Sequence, residues 1–584
     1  MDYLDRESNY DREPEIAVNG YDGFAWEGYN DILREIKSRI NKDKFIITVD
    51  TYPGVKDAEV LNALAGLNPD YVIKSEDVFY DGEKLTGLMQ RNLTDDRVFG
   101  IMYYGDVSDF IDSDKLKKAK TAVNDIENGV VLLYGFAASL IDHGDILVYA
   151  DMARWEIQKR FRREELGNYK ADNLNEDPLV KFKRGYFIEW RVADRHKEKL
   201  LDDIDYLLDT NVYDDPKMIT GNAFRAGLKA VTSRPFRVVP YFDPGVWGGQ
   251  WMKQVCGLDK DEDNYAWCFD CVPEENSLYL RYGKVRAEVP SLDAVLYRPI
   301  GLLGEKVYAR FGAEFPIRFD FLDTMDGQNL SLQVHPTTDY IHKTFGMSYT
   351  QDESYYILDA KDDACVYLGL KDTADRKALI ADLESAQDGG APFDADKYIN
   401  RFSVKKHDHL AIPAGTIHCS GKNCMVLEIS ATPYIFTFKL WDWDRLGLDG
   451  KPRPINIGHG ENVIRWDRTT EWVRNNLIDS VETVWKDGES KEERTGLHEL
   501  EFIETRRTWS KDTVKHDTHG IVNVLNLVEG EEAIVESPEG KFEPFVVHYA
   551  ETFIVPAAVG EYTIKPYGRS EGKRIATIKA YVRF

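Results

Sequence analysis

Four residues in the middle of the chain have the side chains and the spacing of a metal site: Gln333, His335, Glu353 and His418. Gln333 and His335 are two positions apart, so on a β-strand both side chains point to the same face. His418 follows a Pro-Ala-Gly turn at 413–415 that would reverse the chain and begin another strand. Each short motif alone is equally typical of ordinary strands. Together, two imidazoles, a carboxylate and an amide oxygen predict one divalent ion per chain, Zn²⁺ first, with positions left for water or substrate.

Length and charge restrict the class of protein. A chain of 584 residues is too long for one core, and the usual length rule predicts roughly three or four domains. The formal net charge of −27, from 74 basic and 101 acidic residues, disfavours nucleic acid or an anionic membrane as the partner. The sequence has no apolar run of the roughly 20 residues that a membrane helix needs, and its first residues lack a signal pattern. We therefore expect a cytoplasmic protein.

The six cysteines are too few for a disulfide scaffold in a chain of this length. Cys268 and Cys271 form a C-x-x-C motif without a second pair at zinc-ribbon spacing, and Cys419 with Cys424 is a looser alternative. One such pair specifies little, so the prediction is buried thiols on strands.

Residues 1–225 alternate helical and strand-like patterns, which predicts an α/β domain. The patterns are a helix at 29–39, strands at 45–50, 130–135 and 145–151, and a basic helix at 154–163. This layout resembles the P-loop nucleoside kinase family. The phosphate loop is missing, because the segment DTYPGVK at 50–56, after the first strand, has a single glycine. We predict a degenerate kinase-like domain without phosphotransfer; an active kinase of unusual type is the alternative.

Residues 226–480 change to short strands separated by Gly, Pro and Asp, which predicts an all-β domain with a helical insertion near 371–400. Residues 481–584 predict a last β domain, with the polar stretch 486–494 as a linker. Within it, FIVPAAVGE at 553–561 echoes LAIPAGTIH at 410–418, with Glu561 in the place of His418. The echo predicts two related barrels, of which only the first has a metal site.

Several stretches between about 240 and 460 occur in the order found in one family. They are VWGG at 246–249, EFPIRFDFLD at 314–323, LSLQVHP at 330–336, ESYYILD at 353–359, PAGTIH at 413–418, VLE at 426–428, LWDWDR at 440–445 and GKPRP at 450–454. This region resembles the class I mannose-6-phosphate isomerases, which are zinc-dependent cupins. The resemblance implies two jelly-roll barrels after the α/β domain, and by position it assigns Gln333, His335, Glu353 and His418 to zinc.

The resemblance also implies a reaction, the interconversion of mannose 6-phosphate and fructose 6-phosphate through a cis-enediol. A proton moves between C1 and C2 while the oxygens gain negative charge, which a divalent ion with one anionic ligand would stabilise. Glu428 matches the position of a carboxylate proposed as the proton shuttle in this family. A role in orienting a zinc-bound imidazole is an equal alternative for Glu428. Lys439 would stabilise the enediolate or steer the anion, and candidate contacts for the hexose phosphate are Lys371, Arg445 and Arg453.

Three positions depart from the short bacterial members of that family. Lys439 replaces a catalytic arginine, so the charge remains but the bidentate fork is lost. Gln351 stands where those relatives have lysine, and Asn456 where they have histidine. These changes leave the metal ligands untouched. They keep two alternatives open: an isomerase for a different sugar phosphate, and a regulatory cupin that binds a sugar phosphate with little catalysis.

Overall fold

The computed structural model describes residues 4, 6–432, 436–448, 450, 453–496 and 498–584. The chain packs into two compact units. The α/β unit comprises Glu15–Val231 and Ser277–Tyr297, and the β unit comprises Met1–Pro14, Thr232–Asn276 and Arg298–Phe584. The α/β unit thus includes a later segment, Ser277–Tyr297, which Thr232–Asn276 of the β unit separates from Glu15–Val231 in sequence. No local pattern indicates this return of the chain. The domain boundaries proposed from the sequence at 225 and 480 stay predictions.

The α/β unit is built on a seven-stranded sheet. Its order is Ala25–Glu27, Lys217–Thr220, Tyr206–Asp209, Ile146–Asp151, Lys44–Thr51, Gly129–Gly135 and Tyr71–Lys74. The last five strands are parallel to one another, whereas Lys217–Thr220 is antiparallel to both of its neighbours. Central strands of such a sheet are covered on both faces, which explains their continuous apolar runs. The α/β prediction is confirmed.

Helices and a small sheet complete this unit. The helices are Tyr29–Arg39, Asp57–Leu64, Gly82–Leu93, Ser113–Asp125, Arg154–Arg162, Pro178–Arg184, Trp190–Leu200, Gly221–Val231 and Leu292–Tyr297. The three-stranded sheet has the order Glu15–Ala17, Ser277–Tyr282, Val285–Pro290. The helix predicted at 29–39 and the strands predicted near 45, 130 and 145 are confirmed within one residue at each end.

The first part of the β unit contains two antiparallel sheets. One has the order His409–Ile412, Glu353–Ala360, Cys424–Ser430, Arg318–Asp323, Trp267–Cys271 and Tyr241–Asp243. The other has the order Ile399–Ser403, Cys365–Leu370, His418–Ser420, Leu332–Val334 and Phe438–Trp441. The accompanying helices are Trp251–Val255, Pro299–Leu303, Glu305–Phe311, Thr338–Phe345, Arg376–Gln387, Ala395–Tyr398, Ile457–Val463 and Thr470–Asn476. The helical insertion near 371–400 is confirmed.

The C-terminal part repeats this two-sheet plan. Its sheets have the orders Glu482–Asp487, Ser490–Arg494, Ile503–Ser510, Ile575–Val582, Asn523–Glu529, Thr552–Val555, and Val514–Asp517, Glu561–Pro566, Glu532–Glu536, Phe545–His548. Both sheets contribute side chains to one apolar core, including Leu525, Phe553, Val535 and Ile564. The linker predicted at 486–494 is wrong. Its polar residues form a hairpin that turns at Gly488, where φ is +56°, because a strand with one solvated face tolerates many charges.

The sequence echo between the two β regions corresponds to a shared local structure. His409–Ile412 and Thr552–Val555 are strands, each followed by a turn and by a strand that begins at His418 or Glu561 respectively. Glu561 is exposed, whereas His418 is fully buried. Across the described ranges, no helix combines the length and the apolarity needed to cross a membrane.

Candidate metal centre

His335, Glu353 and His418 converge inside the first pair of sheets. One ligand atom from each lies within 4.8 Å of the others, and the three side chains are at most 1% exposed. Nε2 of His335 is 3.1 Å from Oε2 of Glu353, and Nε2 of His418 is 2.8 Å from Oε1 of Glu353. Glu353 lies on one sheet and His418 on the other, so the two sheets face each other at this point.

Gln333 completes the set that the sequence predicted. It is opposite His418 in the strand register, and its Nε2 lies 3.3 Å from Nε2 of His418. A half-turn of the amide would place Oε1 in that position, and only the oxygen can coordinate a cation. The geometry therefore brings all four predicted ligands together.

Hydrogen bonds to the backbone orient both imidazoles. Nδ1 of His335 lies 2.9 Å from the carbonyl of Phe436, and Nδ1 of His418 lies 2.9 Å from the carbonyl of Thr416. A proton donated from Nδ1 leaves the lone pair on Nε2, which in both rings faces Glu353.

Nε2 of His335 and Oε1 of Glu353 are buried and form no hydrogen bond in the part of the chain that the structure describes. With both imidazole protons on Nδ1, the 3.1 and 2.8 Å contacts to Glu353 join lone pairs to carboxylate oxygens. Burial alone would raise the pKa of Glu353, but the two imidazoles, when they are protonated, hold it well below its usual value, so the group is a carboxylate. A bound cation would replace those protons. Buried polar atoms without partners are costly. Neutral imidazole nitrogens, an amide oxygen and one carboxylate fit a divalent cation that would satisfy them.

The turn before His418 is tied directly to His335. The N–H of Gly415 donates to the carbonyl of His335 at 2.9 Å. Gly415 has φ of +88°, and a Cβ there would lie 2.7 Å from Cγ of Arg465, so this position requires glycine. Nη1 of the buried Arg468 donates to the carbonyls of Pro413 and Ala414 at 2.7 and 2.8 Å. Arg468 therefore holds the turn that positions His418.

A cavity of about 140 Å³ adjoins the cluster. Five residues predicted from the sequence line it: Gln333, His335, Glu428, Lys439 and Arg453. Gln351, which the sequence marks as a departure from the short bacterial relatives, also lines it. Other lining residues had no predicted role, among them Trp267, Arg318, Ser331 and Thr437. Several charged and amide side chains therefore reach this cavity, which lies next to the proposed metal.

Glu428 lies in this cavity and is 5% exposed. It accepts a hydrogen bond from Oγ of Ser430 at 2.6 Å, and Nη2 of the buried Arg318 is 4.0 Å away. Burial, followed by repulsion from Glu353, raises the pKa of Glu428 to about 7. A carboxyl group with this pKa can both take up and release a proton near neutrality.

Gln351 connects Glu428 to the metal cluster. Its Nε2 donates to Oε2 of Glu353 at 2.9 Å and lies 3.3 Å from Oε1 of Glu428. Its own Oε1 accepts from the N–H of Phe436 at 2.7 Å, which fixes the orientation of the amide. Gln351, one of the positions that differ from the short bacterial family members, therefore forms part of the candidate site.

The predicted cationic residues separate into two groups. Lys439 pairs with Gln333 in the strand register and lines the cavity. Arg453 lines it too and contacts both Asp442 and Ser331, with each N···O distance 3.1 Å. Arg445 instead binds Asp442 and the carbonyl of Asn329.

Lys371 is also placed away from this cavity. Its ammonium group binds the carbonyl of Asp396. Neither Lys371 nor Arg445 is among the residues that line the cavity. The assignment of Lys371 and Arg445 to the phosphate stays a prediction. Lys451 and Pro452, which precede Arg453, lie outside the described residues.

Two residues that the sequence argument missed are Arg318 and Thr437. Arg318 is 2% exposed and binds Asp320 on its own strand. Oγ1 of Thr437 is buried, lines the cavity, and has no hydrogen-bond partner among the described residues. The alternation between Thr437 and Lys439 is a signal that could have identified the threonine, because side chains two apart share a face.

Residues 28–233 match a family profile described as a domain of unknown function, DUF8485. This match covers most of the α/β unit, and no comparison supports the resemblance to P-loop kinases predicted from the sequence.

The curated relatives of the chain are mannose-6-phosphate isomerases. The chain is 25% identical over 266 residues to mannose-6-phosphate isomerase ManA of Bacillus subtilis (strain 168), across 45% of this chain and 72% of that protein. It is 26% identical over 221 residues to the mannose-6-phosphate isomerase of Streptococcus mutans, across 38% of this chain and 64% of that protein. A solved structure of the Bacillus subtilis mannose 6-phosphate isomerase matches 60% of this chain and all of that one, at 18% identity and a TM-score of 0.48.

Proposed function

We propose that the chain is a metal-dependent aldose-ketose isomerase of sugar phosphates, with mannose 6-phosphate and fructose 6-phosphate as its substrates. The observation that carries the proposal is the buried cluster of His335, Glu353 and His418 beside a cavity that contains both Glu428 and Lys439. The names of the curated relatives support the same class of reaction.

Gln333, His335, Glu353 and His418 would hold the cation, for which Zn²⁺ is proposed because two of the four donors are imidazole nitrogens. When bound, a divalent cation supplies Lewis acidity, which polarises a carbonyl and stabilises enediolate oxygens. With a single carboxylate in this set, a divalent cation keeps net positive charge, as that role requires.

The residues of the chain supply the proton transfer and the binding of the substrate. Glu428 takes the proton from one substrate carbon and returns it to the neighbouring carbon, since its pKa of about 7 lets it serve as base and then as acid. Lys439 places positive charge in the cavity, where the enediolate develops. Arg453 is the candidate contact for the phosphate group, and the Thr437 hydroxyl is a candidate partner for a sugar hydroxyl.

The test is an assay of the purified chain loaded with Zn²⁺, in which formation of fructose 6-phosphate from mannose 6-phosphate is measured. Glucose 6-phosphate and other aldose phosphates are tested in parallel, so that an isomerase for a different sugar phosphate is recognised. Absence of turnover on all of them, with one metal ion bound per chain, would exclude an isomerase.

The alternative function is a regulatory protein that binds a sugar phosphate at the same site with little catalysis. The hydrogen bonds of Gln351 favour it, because a neutral amide occupies the place of a lysine in the short bacterial relatives and binds the proposed base Glu428. Tight binding of mannose 6-phosphate in calorimetry, without turnover, would distinguish this function from an isomerase.

The kinase-like interpretation of residues 1–225 remains a proposal about fold alone. Lys44–Thr51 is followed by Tyr52, Pro53 and Gly54, and proline provides no backbone donor for a phosphate. We propose that this part of the chain does not transfer phosphate. Phosphorylation of a sugar or a nucleoside from ATP by the purified chain would contradict that proposal.

A further inference from the structure

A second cavity, of about 190 Å³, lies within the α/β unit. It is several times larger than the ~30 Å³ that one water molecule occupies. Its walls are the segment after Lys44–Thr51, the helix Arg154–Arg162 that follows Ile146–Asp151, and the segment 166–170. The cavity is therefore at the carboxyl end of the parallel strands.

The topology of the sheet makes this edge a place where ligands bind. Lys44–Thr51 is the first of the parallel strands in sequence, and its neighbours are Gly129–Gly135 on one side and Ile146–Asp151 on the other. From Lys44–Thr51 onwards, the chain thus completes one side of the parallel sheet before it adds strands on the other. Ligands of open α/β sheets bind in the crevice at such a switch point, outside the carboxyl ends of the strands.

The chemistry around this cavity does not suit an anion. Asp57 lies in the first turn of helix Asp57–Leu64, where the positive end of the helix dipole would otherwise attract a phosphate. The basic groups nearby are engaged: Lys170 donates to the carbonyl of Glu76 at 2.7 Å, and Lys56 pairs with Glu165 at 2.8 Å. A phosphate would meet the carboxylate of Asp57 instead. Glu76 also lines the cavity, but its side chain is half exposed and lies 3.5 Å from the ammonium group of Lys74.

The same walls suit a ring that carries hydroxyl groups. Aromatic side chains line the cavity: Tyr52, Phe136, Phe161, Tyr169 and Trp190. Oδ1 of Asp57 accepts a hydrogen bond from the Tyr134 hydroxyl at 2.9 Å. An ionised carboxylate has two acceptor oxygens and no donor, so the remaining capacity of Asp57 suits donors on the ligand. Pockets with apolar and aromatic walls and a few directed polar groups are typical of small-molecule sites.

Two further observations single out this cavity. The hydroxyl oxygen of Tyr169 is buried and has no hydrogen-bond partner among the described residues, although its ring lies in the wall. Gly185–Glu189 forms a π-helical turn between two α-helices, and its last residue, Glu189, is also in the wall. Such turns are frequently found at functional sites.

We propose that the α/β unit binds an uncharged, hydroxyl-rich ring, a free sugar or a nucleoside, in the cavity between Asp57, Tyr169 and Trp190. Asp57 and Glu76 accept hydrogen bonds from its hydroxyl groups, and the aromatic side chains cover its faces. The hydroxyl of Tyr169, which has no hydrogen-bond partner among the described residues, supplies a further donor. The carboxylate of Asp57 disfavours phosphorylated forms of the same compounds at this site.

The proposal is tested on the full chain by calorimetric titration with D-mannose and with adenosine, each compared with its monophosphate. Hydrogen exchange measured by mass spectrometry then shows where each compound binds. We expect one of the two neutral compounds to bind saturably and to slow hydrogen exchange in segments 51–57 and 166–170. The identity of that compound distinguishes a sugar site from a nucleoside site. Its monophosphate should bind there at least about tenfold more weakly, the loss expected when one charge-assisted hydrogen bond becomes a repulsion.

Substitutions separate the role of the carboxylate from a general loss of structure. Asp57→Asn should weaken binding of the neutral compound about tenfold and reduce its preference over the monophosphate. Tyr169→Phe should weaken binding several-fold, by roughly one neutral hydrogen bond. Glu83→Gln, at an exposed position of the same unit, is the matched control and should change neither value.

Three results would overturn the proposal: no slowing of exchange in these segments with either neutral compound, equal or tighter binding of a monophosphate there, or equal effects of Asp57→Asn and Glu83→Gln. If Asp57→Asn does not fold, the comparison between each neutral compound and its monophosphate on the wild-type chain still decides the question.

Discussion

Nε2 of Gln351 lies 2.9 Å from Oε2 of Glu353, so the carboxylate of the proposed metal centre receives a directed hydrogen bond from a neutral amide. The Glu353 strand is paired with the strand of Glu428, and Tyr355 is directly opposite Glu428. Glu353 and Tyr355 share a face because they are two residues apart. Gln351 therefore contacts the metal ligand and the proposed base together.

Replacing Gln351 with alanine should weaken metal binding without removing a ligand. Loss of the hydrogen bond frees Glu353 to rotate, and residues that orient metal ligands are typically worth about 10–100-fold in affinity. Zn²⁺ affinity is measured by competition with a chromogenic chelator. Gln387→Ala, at an exposed helix end, is the control, and equal affinities for the two variants would contradict this role.

Replacing His418 with asparagine should abolish stoichiometric Zn²⁺ binding, because one of the two imidazoles is lost from the cluster. Metal content is read by mass spectrometry of the purified chain. Added Zn²⁺ should raise the unfolding temperature of the wild type, since a ligand at about 100 times its Kd stabilises by ~2.7 kcal/mol. The variant should show no such rise. His342→Asn, an exposed control, should behave as the wild type does.

Replacing Lys439 with methionine should lower kcat/KM for the sugar phosphate by about 10²–10³-fold, the typical cost of removing a group that stabilises an oxyanion. Lys439→Arg retains the charge and adds a bidentate fork, so it should keep activity within about tenfold. Initial rates across substrate concentration separate kcat from KM. A methionine variant as active as Lys405→Met, at an exposed site, would remove Lys439 from the reaction.

Activity should rise with pH through the titration of Glu428. A general base works as its carboxylate, and burial followed by repulsion from Glu353 raises the pKa of Glu428 to about 7. A bound cation favours the carboxylate, so the midpoint of the rising limb in kcat/KM should lie at or below about 7. Glu428→Asp should keep the limb at a lower rate, whereas Glu428→Gln should eliminate it. An unchanged profile in Glu428→Gln would assign the proton transfer to another group.

A buried pair of carboxyl groups should make the stability of the α/β unit depend on pH. The N–H of Glu288 donates to Oδ2 of Asp209 at 2.8 Å. Burial, followed by repulsion from Asp209, raises the pKa of Glu288 to about 7, and burial also raises the pKa of Asp209. The ordinary values in an unfolded chain are about 3.9 for Asp and 4.3 for Glu.

A group with a raised pKa in the folded state contributes stability that is fully present at pH values below its pKa in the unfolded chain. This stability is lost as the pH rises through the pKa of the folded state. The unfolding temperature should therefore fall between about pH 4.3 and 7. Glu288→Gln should flatten this dependence in scanning calorimetry, and the exposed control Glu83→Gln should not. A steeper or unchanged slope in Glu288→Gln would contradict the assignment.

Much of the candidate metal centre was predictable because its signals are local. Alternation along a strand places Gln333 and His335 on one face, and a Pro-Ala-Gly turn places His418 at the start of the next strand. The helix at Tyr29–Arg39 and the apolar strands of the first sheet were predictable for the same reason, since periodicity needs only neighbouring residues. The hairpin at Glu482–Arg494 was missed because its charged face resembles a linker.

The sequence by itself thus identified the four residues of the proposed ligand set, the α/β start of the chain and the β character of the remainder. Only the tertiary structure decided that Gln351 joins Glu353 to Glu428. It also placed Arg318 near Glu428, from a neighbouring strand. Lys371 and Arg445 bind the backbone carbonyls of Asp396 and Asn329 instead of lining the cavity. The tertiary structure also revealed the cavity beside Asp57 and the return of the hairpin at 277–297 to the first unit. These relationships depend on strand pairing between residues far apart in sequence, and no local pattern carries that register.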